Sequence, residues 1–98
     1  MLLVFTSLPS KKSAKSMAGK IIKLNLAACT NYWQINSAYK WKGKLHSEKE
    51  WILEAKTNKE KKLMGWMEKN HPYEIPMVYS IKPNSYSKKY EKWVQIGR

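Results

Sequence analysis

The stretch Ser37-Ala38-Tyr39-Lys40-Trp41-Lys42-Gly43-Lys44 carries the turn of a predicted β-hairpin, and the elements on either side of it define the fold. The aromatic residues Tyr39 and Trp41 alternate with lysines, a pattern of period two that indicates a strand with one apolar face and one charged face. Gly43 marks the turn, and alternation resumes over residues 50–57. We therefore predict that a strand over 28–42 pairs with a strand over 50–57 as a hairpin.

Apolar runs and chain-breaking residues predict the other elements. Ser10 follows a short apolar strand and is placed to cap a helix, which Asn25 ends in a left-handed conformation. Thr57 and Glu60 have the spacing of a capping box at the start of a second helix. In chain order the elements are a strand over 2–6, a helix over 11–24, the hairpin, a helix from 58 or 59 to 69, a strand over 77–81 and a short helix after Ser85.

This order is β-α-β-β-α-β with a C-terminal helix, which is the order of the ferredoxin-like fold. We predict an α+β sandwich with one antiparallel sheet and both main helices on one face of it. A chain of 98 residues suits one domain, over 1–98. Little of the chain remains to cover the second face of the sheet, so we expect oligomerisation to bury it.

The composition restricts the cellular compartment. The single cysteine, Cys29, excludes an internal disulfide and fits a reducing, cytoplasmic environment. The apolar run over 1–8 is too short to span a bilayer and lacks the features of a signal peptide. We therefore expect no association with a membrane.

The net charge of +12 admits a nucleic acid or another anionic surface as a partner. No acidic residue precedes Glu48, whereas eight lysines do. However, the only arginine, the side chain best suited to bidentate recognition of bases and phosphates, is Arg98. The aromatic residues of the hairpin also lack the glycine-containing consensus of RNA-binding sheets, so packing is the favoured interpretation for them. We interpret the lysines as a solvated surface and disfavour a nucleic-acid partner.

Five ordered motifs make the sequence resemble the CutA divalent-ion-tolerance family. They are Leu26-Ala27-Ala28-Cys29-Thr30-Asn31, the hairpin stretch 37–44, Lys56-Thr57, His71-Pro72-Tyr73-Glu74-Ile75-Pro76 and Tyr90-Glu91-Lys92-Trp93. The resemblance covers nearly the whole chain. Departures from the family pattern are a segment 32–36 that is one residue shorter, Lys42 in place of the usual Glu, and the strongly basic charge.

The resemblance implies a homotrimer, with sheets packed edge to edge around a three-fold axis. It also implies a role in tolerance of divalent metal ions, with copper or another divalent cation as the bound ion. It implies no enzymatic reaction, and the sequence contains no nucleophile–base pair, phosphate-binding loop or recognisable metal-ligand spacing.

His71 and Cys29 are the candidate metal ligands, since imidazole and thiolate are preferred donors for copper. The alternative for His71 is a structural hydrogen bond, and for Cys29 a small buried apolar residue. In the family, a histidine before the one corresponding to His71 and a cysteine in the first strand sometimes occur; Asn70 and Thr6 occupy those positions.

Tyr73, Glu74 and Lys56 form a candidate cleft for a small polar or anionic ligand, to which we add Trp41. The alternative is a hydrogen-bond network within an interface, stiffened by the two prolines of the motif. The leading function is that of a non-enzymatic trimer that handles divalent ions. A trimeric small-ligand sensor resembling the nitrogen-regulatory P-II proteins is the second hypothesis, and a basic nucleic-acid-associated domain is the third.

Overall fold

The hairpin organises the structure, a computed structural model that describes residues 1–96. Strands β2 (Cys29–Trp41) and β3 (Lys44–Thr57) pair along their whole length, from Cys29 opposite Lys56 to Trp41 opposite Lys44. The turn residues Lys42 and Gly43 have φ angles of 53° and 78°. This left-handed pair matches the twist of a two-residue hairpin. The predicted hairpin is confirmed, but β3 begins at Lys44 rather than at residue 50.

The hairpin belongs to a four-stranded antiparallel sheet of order β2-β3-β1-β4. Strand β1 (Leu2–Leu8) lies between β3 and β4 (Val78–Ile81), so that Val4 is opposite Ala55 on one side and Ser80 on the other. The helices are α1 (Lys11–Lys23), α2 (Glu60–Lys69) and α3 (Lys88–Ile96). The predicted ferredoxin-like order with a C-terminal helix is confirmed.

The core lies between one face of the sheet and helices α1 and α2. Alternation along β1 and β3 directs Leu8 and Leu53 to this face, where both are fully buried. Ile21 of α1 and Leu63 and Met67 of α2 meet them from the helical side. Burying a side chain of this size contributes about 1.5–3 kcal/mol, so this layer accounts for the main apolar stabilisation of the fold.

Both ends of helix α1 form as the sequence predicts. The Ser10 hydroxyl accepts a hydrogen bond from the backbone N–H of Ser13 at 3.1 Å, which caps the first turn. At the other end, Asn25 has a φ of 56°, and the N–H of Leu26 donates to the carbonyl of Ile21 at 3.0 Å. The first bond satisfies an N–H group and the second a carbonyl group that the helix would otherwise leave without a partner.

The predicted capping box of α2 is wrong. The buried Thr57 hydroxyl donates to the carbonyl of Leu26 at 2.6 Å and accepts from the N–H of Lys59 at 2.8 Å, so it ties the α1–β2 loop to the chain before α2. The Glu60 carboxylate accepts a hydrogen bond from the Ser80 hydroxyl instead of closing the box. Tertiary partners thus compete successfully with the local motif.

The second face of the sheet is largely open. Trp33, Tyr39 and Trp41 of β2 point to this face and are each about 40% exposed, as is Tyr79 of β4. Helix α3 covers only the end near Cys29, where its Tyr90 lies beside the thiol. An aromatic surface of this kind usually belongs to an interface.

Candidate functional site

His71 follows α2 and is held at both ring nitrogens. Its Nε2 lies 2.8 Å from the hydroxyl of Thr6, which is fully buried, and its Nδ1 accepts the backbone N–H of Tyr73 at 3.1 Å. Because Nδ1 is an acceptor, the network assigns the proton to Nε2. Burial lowers the pKa of His71, while the Ser7 carbonyl and the Glu50 carboxylate oppose this shift.

This arrangement gives His71 a structural role within the chain. A metal ligand needs a free lone pair on one ring nitrogen. In His71 the lone pair of Nδ1 is used by Tyr73, and the proton on Nε2 is directed toward Thr6. Its hydrogen bond to Thr6 thereby holds the start of the Pro72–Pro76 segment against strand β1.

Tyr73 extends from this segment toward the hairpin. Its hydroxyl donates to the Glu50 carboxylate of β3 at 2.6 Å. Burial raises the pKa of Tyr73 well above its ordinary value, and the hydrogen bond to Glu50 raises it further. The phenol therefore stays protonated and acts as a hydrogen-bond donor that positions the carboxylate.

Tyr39 of β2 lies on the same open face, close to Tyr73 and Glu50. A hydrogen bond to the Glu48 carboxylate raises the pKa of Tyr39, and its ring stacks on the His46 ring with the centroids 5.3 Å apart. Two carboxylates and two phenols thus lie on this part of the open face, near where the Pro72–Pro76 segment approaches the hairpin.

A groove of about 350 Å³ opens at this place. It brings together three of the residues predicted for the cleft: Trp41, Tyr73 and Glu74. The other residues lining it are Ser7, Tyr39, Glu50, Ile75 and Met77. Glu50 is the important residue that the sequence did not single out, because the predicted strand begins there and its first residue carries no pattern. An unbroken hairpin register from the turn, with Trp41 opposite Lys44, places Glu50 opposite Ile35 and its side chain on the open face.

The structure does not bring Lys56 to this groove within the chain. Lys56 lies at the opposite end of β3, where its ammonium pairs with Glu54 at 2.8 Å and contacts the Asn31 side chain. Lys56 lies six positions along the strand from Glu50, a length of about 20 Å.

Cys29 lies beside Lys56 and is also remote from His71. It faces Lys56 across the β2–β3 pair, and its thiol is half-buried, 3.9 Å from the side-chain oxygen of Asn31. His71, in contrast, contacts Thr6, whose side chain points to the other face of the sheet. Within residues 1–96, no three His, Cys, Asp or Glu side chains come together in a way that could hold a metal ion. The two predicted ligands do not form a metal site within this chain.

Comparisons with known proteins agree with the fold. The family model described as "CutA1 divalent ion tolerance protein" matches residues 2–96. The divalent-cation tolerance protein CutA of Thermotoga maritima is 35% identical over 97 residues, which cover 97% of this chain and 96% of the relative. Among residues 1–96, no helix combines the length and the apolar character needed to cross a bilayer.

Two solved structures show how closely the architecture is shared. A variant of CutA1 from Pyrococcus horikoshii superposes with a TM-score of 0.95 at 28% identity, covering 99% of this chain and 97% of that one. A protein described as "PII-like protein CutA" from Nostoc sp. PCC 7120 gives a TM-score of 0.92 at 27% identity, with coverages of 99% and 96%. With its βαββαβ sheet, its motifs and this similarity over nearly its full length, the chain belongs to the CutA divalent-ion-tolerance family.

Proposed function

We propose that this protein is a non-enzymatic, cytoplasmic homotrimer, built from one domain over 1–98, that binds a divalent cation between subunits. The observation that carries the proposal is the groove in which Glu50 and Glu74 meet Tyr73 at the open sheet face. In a chain of net charge +12, carboxylates gathered at one place create a local site for a cation. Copper is the first candidate, because it binds a given set of nitrogen, oxygen and sulfur ligands most tightly among divalent first-row metals.

The shape of the subunit supports the trimer. The molecule measures 46 × 27 × 21 Å, and its long hairpin extends beyond the helices that cover the rest of the sheet. Residues 36–45 of this extension are almost all exposed, among them Trp41 and Leu45, which is 76% exposed. Packing the extension and the open face against neighbouring copies would bury these apolar groups.

The trimer would also supply the ligands that one subunit keeps apart. In our proposal His71 binds the ion after releasing the Tyr73 N–H, and Cys29 reaches it from a neighbouring subunit. Tyr73, Glu74 and Trp41 line the cleft, and Lys56 of a neighbour completes it. The separation of these groups within one subunit is the reason for assigning the site to an interface.

Copper titration by calorimetry tests the proposal. We expect His71→Ala and Cys29→Ser each to weaken copper binding by about tenfold or more, the usual effect of losing one ligand or its support. His46→Ala is the matched control, since it removes the other histidine and is expected to leave the affinity unchanged. A His71→Ala variant that binds copper like the wild type contradicts the proposed site. A monomeric mass in light scattering contradicts the trimer.

A P-II-like sensor of a small ligand is the second candidate, favoured by the volume of the groove and its aromatic walls. The carboxylates of Glu50 and Glu74 suit a cationic organic ligand, and the Trp41 ring, over which the Lys42 ammonium lies at 6.0 Å, already accommodates a cation on its face. A rise in the melting temperature with a small quaternary amine would support this function. A rise with ATP instead would indicate a nucleotide site elsewhere on the protein. No rise with either ligand would remove the second candidate.

A further inference from the structure

We propose that the helical face of the protein binds single-stranded nucleic acid without sequence preference. The lysines of this face lie on the other side of the sheet from the groove of Glu50 and Glu74, whereas His71, the proposed copper ligand, lines the pocket described below. The proposal does not rest on the proposed function, and its tests leave His71 unchanged, so they can fail separately from the copper titration.

The first observation is a lysine groove on α1 of about 450 Å³. Four lysines form its walls, while Ser16 and Gly19 form its floor. The lysines are Lys12, Lys15, Lys20 and Lys23. The space above Gly19 is open, since a Cβ built there would meet nothing within 4 Å. The backbone of a ligand can therefore come close to the helix between the ammonium groups.

These ammonium groups are available to a ligand. Helix α1 contains no acidic residue, and the two ion pairs within residues 1–96 involve the N-terminal ammonium with Glu91, and Lys56 with Glu54. Lys11, the remaining lysine of α1, lies over the Trp51 ring at 5.9 Å and is left out of the groove. Lys12 to Lys23 spans about 16 Å along the helix, a length over which a stacked strand presents about five phosphates.

The second observation is a pocket of about 260 Å³ between α1 and α2 that adjoins the groove, with which it shares Ser16 and Lys20. The half-buried ring of Trp66, which packs against the core, lines the pocket together with Ser13 and Asn70. His71 and Pro72 also line it. An aromatic surface next to a lysine-lined groove is the arrangement by which proteins hold single strands, with the backbone in the groove and a base on the ring.

This pairing favours a nucleic acid over an anionic membrane. A membrane surface would use the lysines but would have no use for a polar pocket beside a half-buried ring. The absence of arginine from α1 and α2 agrees with binding that ignores sequence, because lysine neutralises phosphates as a point charge and does not read base edges. On α2, the exposed Lys61, Lys62 and Lys69 extend the positive surface, and Glu68 is the exposed acid among them.

The test is the fluorescence anisotropy of a labelled oligothymidylate of about 20 nucleotides at several salt concentrations. The variant replaces the four groove lysines by glutamine. The control replaces four exposed lysines elsewhere, Lys82, Lys88, Lys89 and Lys92, by glutamine, so that both proteins have the same net charge. We expect the groove variant to lose more than about tenfold in affinity, and its salt slope to fall by about 0.7 for each phosphate that it no longer neutralises. The control variant should keep most of the affinity and most of the salt slope.

A ligand without bases tests the pocket without changing the protein. An abasic oligomer of the same length keeps the phosphates, and we expect it to bind about tenfold more weakly, the loss typical of a stacked base. Trp66→Leu should abolish this difference, provided that its melting curve shows a folded protein. Equal losses in the two lysine variants, or equal binding of the abasic oligomer, would overturn the proposal. Tighter binding to phosphatidylserine vesicles than to the oligomer, lost in the groove variant, would overturn it in favour of a membrane.

Discussion

Replacing Thr6 by valine tests the link between strand β1 and the His71 segment. The fully buried Thr6 hydroxyl lies 2.8 Å from Nε2 of His71, and valine keeps its shape while removing the acceptor. A neutral hydrogen bond contributes about 0.5–1.5 kcal/mol, and a buried donor left without a partner costs about 1–3 kcal/mol. His71 is half-buried and the Ser7 carbonyl is close to it, so we expect the variant to lose about 1–1.5 kcal/mol of unfolding free energy.

Urea unfolding at one fixed protein concentration measures this loss, because the stability of the proposed trimer would depend on concentration. With a slope of about 1 kcal/mol per molar urea, the midpoint should fall by about 1 M. Thr30→Val is the matched control. The Thr30 hydroxyl donates to the Ala18 carbonyl over 3.4 Å, a longer and weaker bond, so its removal should shift the midpoint much less.

A double-mutant cycle with His71→Phe separates the hydrogen bond from the packing. Phenylalanine keeps an aromatic ring but has no nitrogen to pair with Thr6. If the two side chains act through this bond, the coupling free energy should be about 1 kcal/mol. Additive effects, or a Thr6→Val loss no larger than that of Thr30→Val, would refute the structural role assigned to His71.

Three further predictions concern the site and the hairpin. In the presence of a chelator, we expect the stability of the wild type relative to His71→Phe to fall as the pH drops below 6.5. Burial lowers the pKa of His71 from that ordinary value, so the unfolded chain binds the proton at a higher pH than the folded chain does. Urea midpoints at about pH 7.5 and about pH 5 measure this, and parallel changes in both proteins contradict it. Lys42→Asn should raise the stability by about 0.5–1 kcal/mol, since asparagine tolerates the left-handed conformation better, whereas Lys40→Asn in the extended strand should not. Tyr73→Phe should cost about 1 kcal/mol in a thermal melt through the lost bond to its carboxylate partner in β3, and a loss no greater than that of the exposed Tyr79→Phe would contradict it.

The fold could be predicted because its elements follow local patterns. The alternation of β2 and the left-handed conformation of Asn25 follow from local residue types, and the structure contains both. The first half of β3 escapes prediction because residues 45–49 do not alternate between apolar and polar side chains. That part of the strand is held by backbone pairing with β2 and buries little, so no hydrophobic period marks it.

The candidate site was only partly predictable, for a geometric reason. Tyr73 and Glu74 are adjacent in sequence, and Trp41 lies near the hairpin turn that reaches the same groove. Lys56 and Cys29 are matched to each other by strand register, and that register carries both to the far end of the sheet. Motif spacing identifies residues that belong to one family, but it does not state which end of a strand each side chain occupies.

The distribution of charge reconciles a net charge of +12 with the cation site that we propose in the groove. Glu48 and Glu50 are placed on the open face by the alternation of β3, and Glu74 joins Glu50 in the groove. The lysines of α1 lie on the opposite side of the molecule, behind the sheet and its apolar core. Exposed charges on opposite sides of the molecule are strongly screened from each other at physiological salt, where the Debye length is about 8 Å. Each face of the molecule therefore has its own local electrostatic field. The net charge of the whole chain does not predict which ligand either face prefers.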